Sequence, residues 1–531
     1  MKTVGITEGI NISVYQPVGG KKYSPVDIAK FLKKFQLNST LKLLGELSCK
    51  MLMDENPEPI REIGGVPISD SVLAYLAMVA IENSNDYRKE LITIRDIVKV
   101  ADMYFGLLDP ILSDKKLDPF LIRFGAAQFE YDREINNVLS RTFLIYSQLW
   151  NQVPEARKVN IDEAIKKISN LTIEEIVILG FSYFGGCKNG FFRIYDENQI
   201  IEKDKQFFTK QKQNWFLEWI SCSYWQFRKQ SLAIQKELPD SDYEKNRFNL
   251  LEKYPVLVPD SNPRPDLSQV YIVPITRLLL GRITRGLYYD LADYFKGNTK
   301  ANKFREAFGY VFQRYIGLLL EKSKQKMQVL PEWHYGKPEK RTPDWIVFEG
   351  NKAIIIEVKQ SGLFLPAKTL GDIDTVKTSL SKTISQAVKQ LWSFKQDIAL
   401  GTYKELECFS EVIEFENLII TYDRMYFANS IIKENALELA KKEIPSFPKD
   451  YHCHTISAEE FEYLLGLNIS SFFDFLKEKR LANKGRTWDF REYCGRMFKQ
   501  SRLINQYLEK VKQDFLDYIE THLTQATKEK N

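Results

Sequence analysis

Residues 345–359 read WIVFEGNKAIIIEVK, two apolar runs separated by a Gly-Asn pair. Such a pair between apolar runs is a strong local signal for a tight β-hairpin. With that turn, Glu349 faces Lys352, Phe348 faces Ala353 and Ile346 faces Ile355. One step further back, Asp344 faces Glu357. The second run has no polar side to offer water. A strand apolar on both faces must be covered on both faces, so helices are expected above and below the sheet it belongs to.

The neighbouring sequence supplies those layers. Periodicity predicts a helix over 302–322, strands near 326–335, 343–348 and 353–360, and a helix over 377–397. Strands follow near 417–422 and 451–456. The order predicts an α/β (α+β) fold, a mixed sheet flanked by helices. Residues 1–237 read as a mainly helical amino-terminal domain and the proline-rich 238–295 as a linker and connecting segment. Residues 296–460 carry the sheet, and 461–531 form a helical carboxy-terminal segment.

Alternation places Asp344, Glu357 and Lys359 on one face at the end of the hairpin. Opposed carboxylates repel, and in an apolar setting they need a shared proton or a cation. A hard divalent ion meets that need: Mg²⁺ is commonly held by one or two carboxylates and keeps waters and phosphate oxygens as its other ligands. The Lys359 ammonium beside it can steady developing negative charge or help polarise water. Together these groups suit phosphodiester hydrolysis.

Pro343-Asp344 followed by Glu357-Val358-Lys359 resembles the motif of the PD-(D/E)xK nuclease superfamily, and residues 302–422 resemble its αβββαβ core. The resemblance implies a restriction-endonuclease-like fold spanning about 302–456. It implies Asp344 and Glu357 as metal ligands, the Val358 carbonyl as a third, and Lys359 as the catalytic lysine. The first core helix of such proteins often carries a glutamate where this chain has Gln313, which adds no charge; Glu306 lies two turns earlier. On the second helix, Lys382, Gln386 and Gln390 form a polar row, and Gln386 is the residue expected to assist the site.

The rest of the chain narrows the function. A net charge of +5 over 531 residues means that any surface for a polyanion must be local. Two stretches mix Lys and Arg with aromatics. In 477–502, Trp488, Phe490, Tyr493 and Phe498 are candidates for stacking bases; in 203–229, the spacing of Phe216, Trp219, Ile220 and Phe227 favours a core. His452 and His454 share one strand face, but no second ligand pair has zinc spacing, so zinc is not expected. The Gly-rich 184–192 reads as a turn. Six scattered cysteines form no CxxC pair, there is no long apolar run, and the first residues lack the apolar core of a signal peptide. A cytoplasmic protein with no membrane association is expected.

These features predict an endonuclease dependent on Mg²⁺, with Mn²⁺ able to replace it. DNA is the expected substrate and RNA stays open. The setting expected is restriction or antiviral defence, with the helical amino-terminal region binding a protein partner or a second copy. The rival is a non-catalytic nucleic-acid-binding or scaffold subunit that keeps the nuclease fold.

Overall fold

The computed structural model describes the chain apart from residues 1, 8–9, 15–16, 18–19, 54–59, 108–134, 188, 201, 238–246, 261–269, 297–301, 324–326, 361–372, 426–427, 449, 468, 484, 499–504 and 529–531. The hairpin forms as read. Strands β2 (Trp345–Glu349) and β3 (Lys352–Lys359), numbered after β1 (Gln328–Pro331), pair antiparallel with Glu349 opposite Lys352. Gly350 takes a φ of 63°, which a residue with a Cβ rarely adopts. β1 lies on the other side of β2, and β4 (Glu414–Thr421) and β5 (His454–Ser457) extend the sheet parallel to β3. The sheet order is β5-β4-β3-β2-β1.

Both faces of β3 are covered. Ile354 and Ile356 pack towards helix α1 (Lys303–Glu321), while Ala353 and Ile355 pack towards α2 (Ile373–Leu400) and α3 (Ile431–Glu443). On α2 Ile384, Ala387, Val388 and Leu391 are fully buried. α1 is keyed to β2 by one close approach. A Cβ on Gly317 would fall 1.8 Å from Trp345 Cζ2, so only glycine lets the indole lie against the helix. The Trp345 Nε1–H then donates to the Gln313 carbonyl at 2.9 Å.

The strand expected over 326–335 ends at Pro331, and His334–Tyr335 pairs instead with Lys340–Arg341. Gly336, at a φ of 71°, and Pro338 turn the chain between them. The segment expected to link domains is built into the fold. Val256–Val258 and Tyr271–Ile272 join Phe191–Phe192 and Ser221–Ser223 in a four-stranded sheet, and helices Thr276–Ile283 and Arg285–Tyr294 follow. Pro255, Pro259 and Pro274 flank those short strands, where a missing N–H costs no ladder bond. Parts of the expected linker, 238–246 and 261–269, lie outside the described residues.

The expected boundaries do not separate cores. One cluster runs from Trp150, Ile176 and Phe216 through Leu287, Phe308 and Ile354 to Phe461 and Phe515. The helix Gln506–Lys528 docks on Ile135–Phe143, with Phe515 4.5 Å from Phe143. Buried Glu462 accepts from Arg141 at 2.8 Å and from Tyr315 at 2.7 Å, tying helices of all three regions together. Among the described residues no helix is long and apolar enough to cross a membrane.

Candidate active site

The end of the β2–β3 hairpin opens into a cavity of about 810 Å³. Asp344 precedes β2 immediately, and its Oδ2 accepts from the Val358 N–H at 2.6 Å. That bond reveals which way Val358 points. A strand residue presents its N–H and C=O to the same side, so the Val358 carbonyl also faces the place where β2 begins. Extending the register puts Pro343 opposite Val358. Proline has no N–H, so β2 has no donor for that carbonyl. The Pro-Asp pair thus has a physical meaning: proline ends the ladder and the aspartate takes the freed N–H, leaving a carbonyl oxygen beside two carboxylates.

Glu357 is 4 % exposed, and Lys359 holds it with Nζ 2.6 Å from Oε1. The ammonium also donates to Gln390 Oε1 at 2.8 Å. Burial, and then the charge of Glu357, push the Asp344 carboxyl well above the ordinary carboxylate range; the Val358 N–H and Lys359 pull the other way. Glu357 is raised too, by burial first, with Lys359 opposing. Two neighbouring carboxyls that resist ionising are an unfilled demand for positive charge. Asp344, Glu357 and the Val358 carbonyl form an all-oxygen donor set, the chemistry that fits Mg²⁺.

The structure adds a third carboxylate that the sequence reading passed over. In the β1–β2 register Pro331 pairs with Trp345, so Glu332 comes opposite Asp344, and its N–H donates to the Asp344 carbonyl at 3.0 Å. Three neighbouring strand ends therefore each carry an acid. Glu332 turns its carboxylate towards Gln313, whose Nε2 lies 3.4 Å away, and towards Arg341 at 3.4 Å. Gln313 does reach the cavity wall, arriving from the opposite face of the sheet to Glu357, and Glu306 lies on the same wall. The charge that Gln313 lacks is supplied next to it by Glu332.

On α2 the residue that enters the site is Gln390, and Gln386, one turn earlier, is exposed and outside the cavity wall. The polar row is as read, but its height against β3 is set by how Ile384–Leu391 seats on Ala353 and Ile355, which periodicity does not give. Arg157, from the amino-terminal region, and Arg341 and Lys389 also line the cavity, Arg341 paired with Glu332 and Lys389 with Glu443. Lys340 is engaged by Asp397 at 2.8 Å.

The two basic aromatic stretches are structural. Phe490 and Tyr493 are buried, Trp488 and Phe498 pack against the core, and the Arg496 guanidinium lies 4.0 Å from the Trp488 ring. Arg480 pairs with Glu416, Lys477 with Glu414 and Arg491 with Glu459. The expected base-stacking surface at 477–502 is therefore spent on packing; residues 484 and 499–502 lie outside the described residues. Phe216, Trp219, Ile220 and Phe227 are core, as expected.

No protein-family model, curated protein or solved structure matches this chain.

Proposed function

We propose that the chain is a divalent-cation-dependent endonuclease that hydrolyses phosphodiester bonds in DNA, with a restriction-endonuclease-like core. The observation that carries this reading is the pairing of Asp344 with Glu357 beside a lysine and a strand carbonyl for which β2 has no donor, at the mouth of a charged cavity. Asp344, Glu357 and the Val358 carbonyl would hold Mg²⁺, or Mn²⁺ in its place. When bound there, the ion supplies charge on a phosphate oxygen and lowers the pKa of a bound water.

The remaining work falls to the chain's own groups. Gln390 and Glu357 fix the Lys359 ammonium from two sides, aiming it into the cavity where the attacked phosphate gains charge. Glu332 and Gln313 form a polar shelf that can orient a water. Arg157, Arg341 and Lys389 can meet flanking phosphates, a contact mode that grips nucleic acid without reading sequence. By analogy, the proposed setting is restriction or antiviral defence, with a protein partner or second copy on the amino-terminal region.

One observation favours a non-catalytic nucleic-acid-binding or scaffold subunit: the neutral Gln313. The same assay separates the readings. Purified protein is incubated with plasmid, linear DNA and RNA in Mg²⁺, Mn²⁺ or EDTA, beside Asp344→Ala and Lys359→Ala. Cleavage of DNA that needs the metal and is lost in both variants supports the nuclease. Cleavage of RNA alone reassigns the substrate. Binding without cleavage, unchanged by either substitution, overturns the enzyme.

A further inference from the structure

A second cluster of ligating groups lies on the opposite face of the same sheet. Glu416 sits in β4, His454 opens β5, and His452 is two residues earlier. The β4–β5 register pairs Leu418 with His454, so two steps back Glu416 comes beside His452, and the period of two puts all three on one face. The Asn417 side chain fixes the approach by donating to the His452 carbonyl at 2.7 Å. Sequence spacing discounted the histidine pair because no second pair accompanies it; the missing ligand comes from a different strand.

The distances are those of a shared ion. The two imidazole Nε2 atoms are 3.3 Å apart, and His454 Nε2 is 3.6 Å from Glu416 Oε2. Four-coordinate zinc, with bonds of about 2.0–2.1 Å to nitrogen, holds neighbouring ligand atoms about 3.3–3.4 Å apart. Hydrogen bonding explains the cluster less well. The two imidazoles can share one hydrogen bond, but the histidine–glutamate separation of 3.6 Å is too long for another.

The surroundings decide which ion. Arg480 Nε donates to Glu416 Oε1 at 2.8 Å, which fixes the carboxylate and leaves Oε2 for the cluster. Lys479 spends its ammonium on the Gly485 and Trp488 carbonyls at 2.9 and 2.7 Å. Lys433, Lys479 and Arg480 bring positive charge close to both imidazoles. The donor set, two imidazole nitrogens and one carboxylate oxygen, suits a hard cation such as Mg²⁺ poorly. It leaves the site to an ion that imidazole binds strongly.

We propose that Glu416, His452 and His454 form a zinc site, with water as fourth ligand on the side of half-exposed His452. Through Arg480 the site fastens β4 and β5 to the carboxy-terminal helix Phe472–Leu481. It is separate from the Asp344–Glu357 centre and stands or falls independently of the nuclease reading.

The test is metal analysis of the full chain purified without chelators or immobilised-metal resin. One zinc per chain is expected, retained in Asp344→Asn and lost in His452→Ala and Glu416→Gln. Chelator-stripped wild type should regain thermal stability with Zn²⁺ and show the visible bands of four-coordinate cobalt with Co²⁺, whereas folded His452→Ala should do neither. His452 is not fully buried, so that variant keeps the core intact. Zinc-free wild type that takes up neither ion, or His452→Ala with undiminished zinc, overturns the proposal.

Discussion

Replacing Asp344 by asparagine should make the metal-free protein more stable while removing its response to Mg²⁺. Facing strand positions bring the two acids roughly 5 Å apart. Two unit charges at that distance, at an effective dielectric of about 20, repel by about 3 kcal/mol. Against that relief, asparagine keeps an oxygen for the Val358 N–H but loses the charge-assisted part of the bond and the attraction to Lys359, together about 1–2 kcal/mol. The net gain is about 1–2 kcal/mol where the wild-type pair is ionised. The sign with pH follows from the raised Asp344 carboxyl. A folded-state pKa above the ordinary 3.8 means the stability linked to this group is fully present below that value and is lost as pH rises through the folded-state pKa. The advantage of the variant should therefore vanish near pH 4 and be full in mild alkali. Mg²⁺ at ten times its dissociation constant should add about 1.4 kcal/mol to wild type and nothing comparable to the variant. Denaturant melts at several pH values, in EDTA and in Mg²⁺, measure all of this. A variant less stable than wild type in alkaline EDTA, or an equal Mg²⁺ response in both, refutes the reasoning.

Lys359→Gln should abolish cleavage yet tighten Mn²⁺ binding by calorimetry, because two buried carboxylates then lack their ammonium; in EDTA at pH 8 it should cost about 3 kcal/mol, and less at pH 5. Gln390→Ala should lower the cleavage rate about tenfold with binding retained, and Gln386→Ala should leave it unchanged; equal effects would place the wrong glutamine at the site. Gly317→Ala should lose about 2–3 kcal/mol in a denaturant melt, since its methyl collides with the Trp345 ring. A neutral result there would mean that α1 is not keyed to β2 as described.

What could be read from sequence was whatever local chemistry fixes. The Gly350-Asn351 turn fixes the hairpin register, and the register fixes that Asp344 meets Glu357. The unbroken apolar run 353–356 demanded two covering layers, and both are present. What escaped depended on longer connections. Glu332 faces Asp344 through the β1–β2 pairing, whose loop contains a second small hairpin, so no short turn announces the register. Gln390 rather than Gln386 reflects how high α2 sits on the sheet. Glu416 joins His452 and His454 only through a parallel crossover. The aromatics of 477–502 look like a stacking surface in sequence because composition cannot tell a base from a phenylalanine core as the partner. The proline-rich 238–295 reads as a linker, although proline at strand ends is compatible with a small sheet.

The central claim is that Asp344, Glu357 and the Val358 carbonyl together hold a divalent cation. Anomalous diffraction from a crystal soaked in Mn²⁺ tests it most directly. A manganese peak should bridge the two carboxylates at about 2.0–2.3 Å and touch the Val358 oxygen, and it should be missing from Asp344→Asn. A cavity that stays free of manganese while Lys359 remains locked on Glu357, or a peak held only by other residues, would contradict the account.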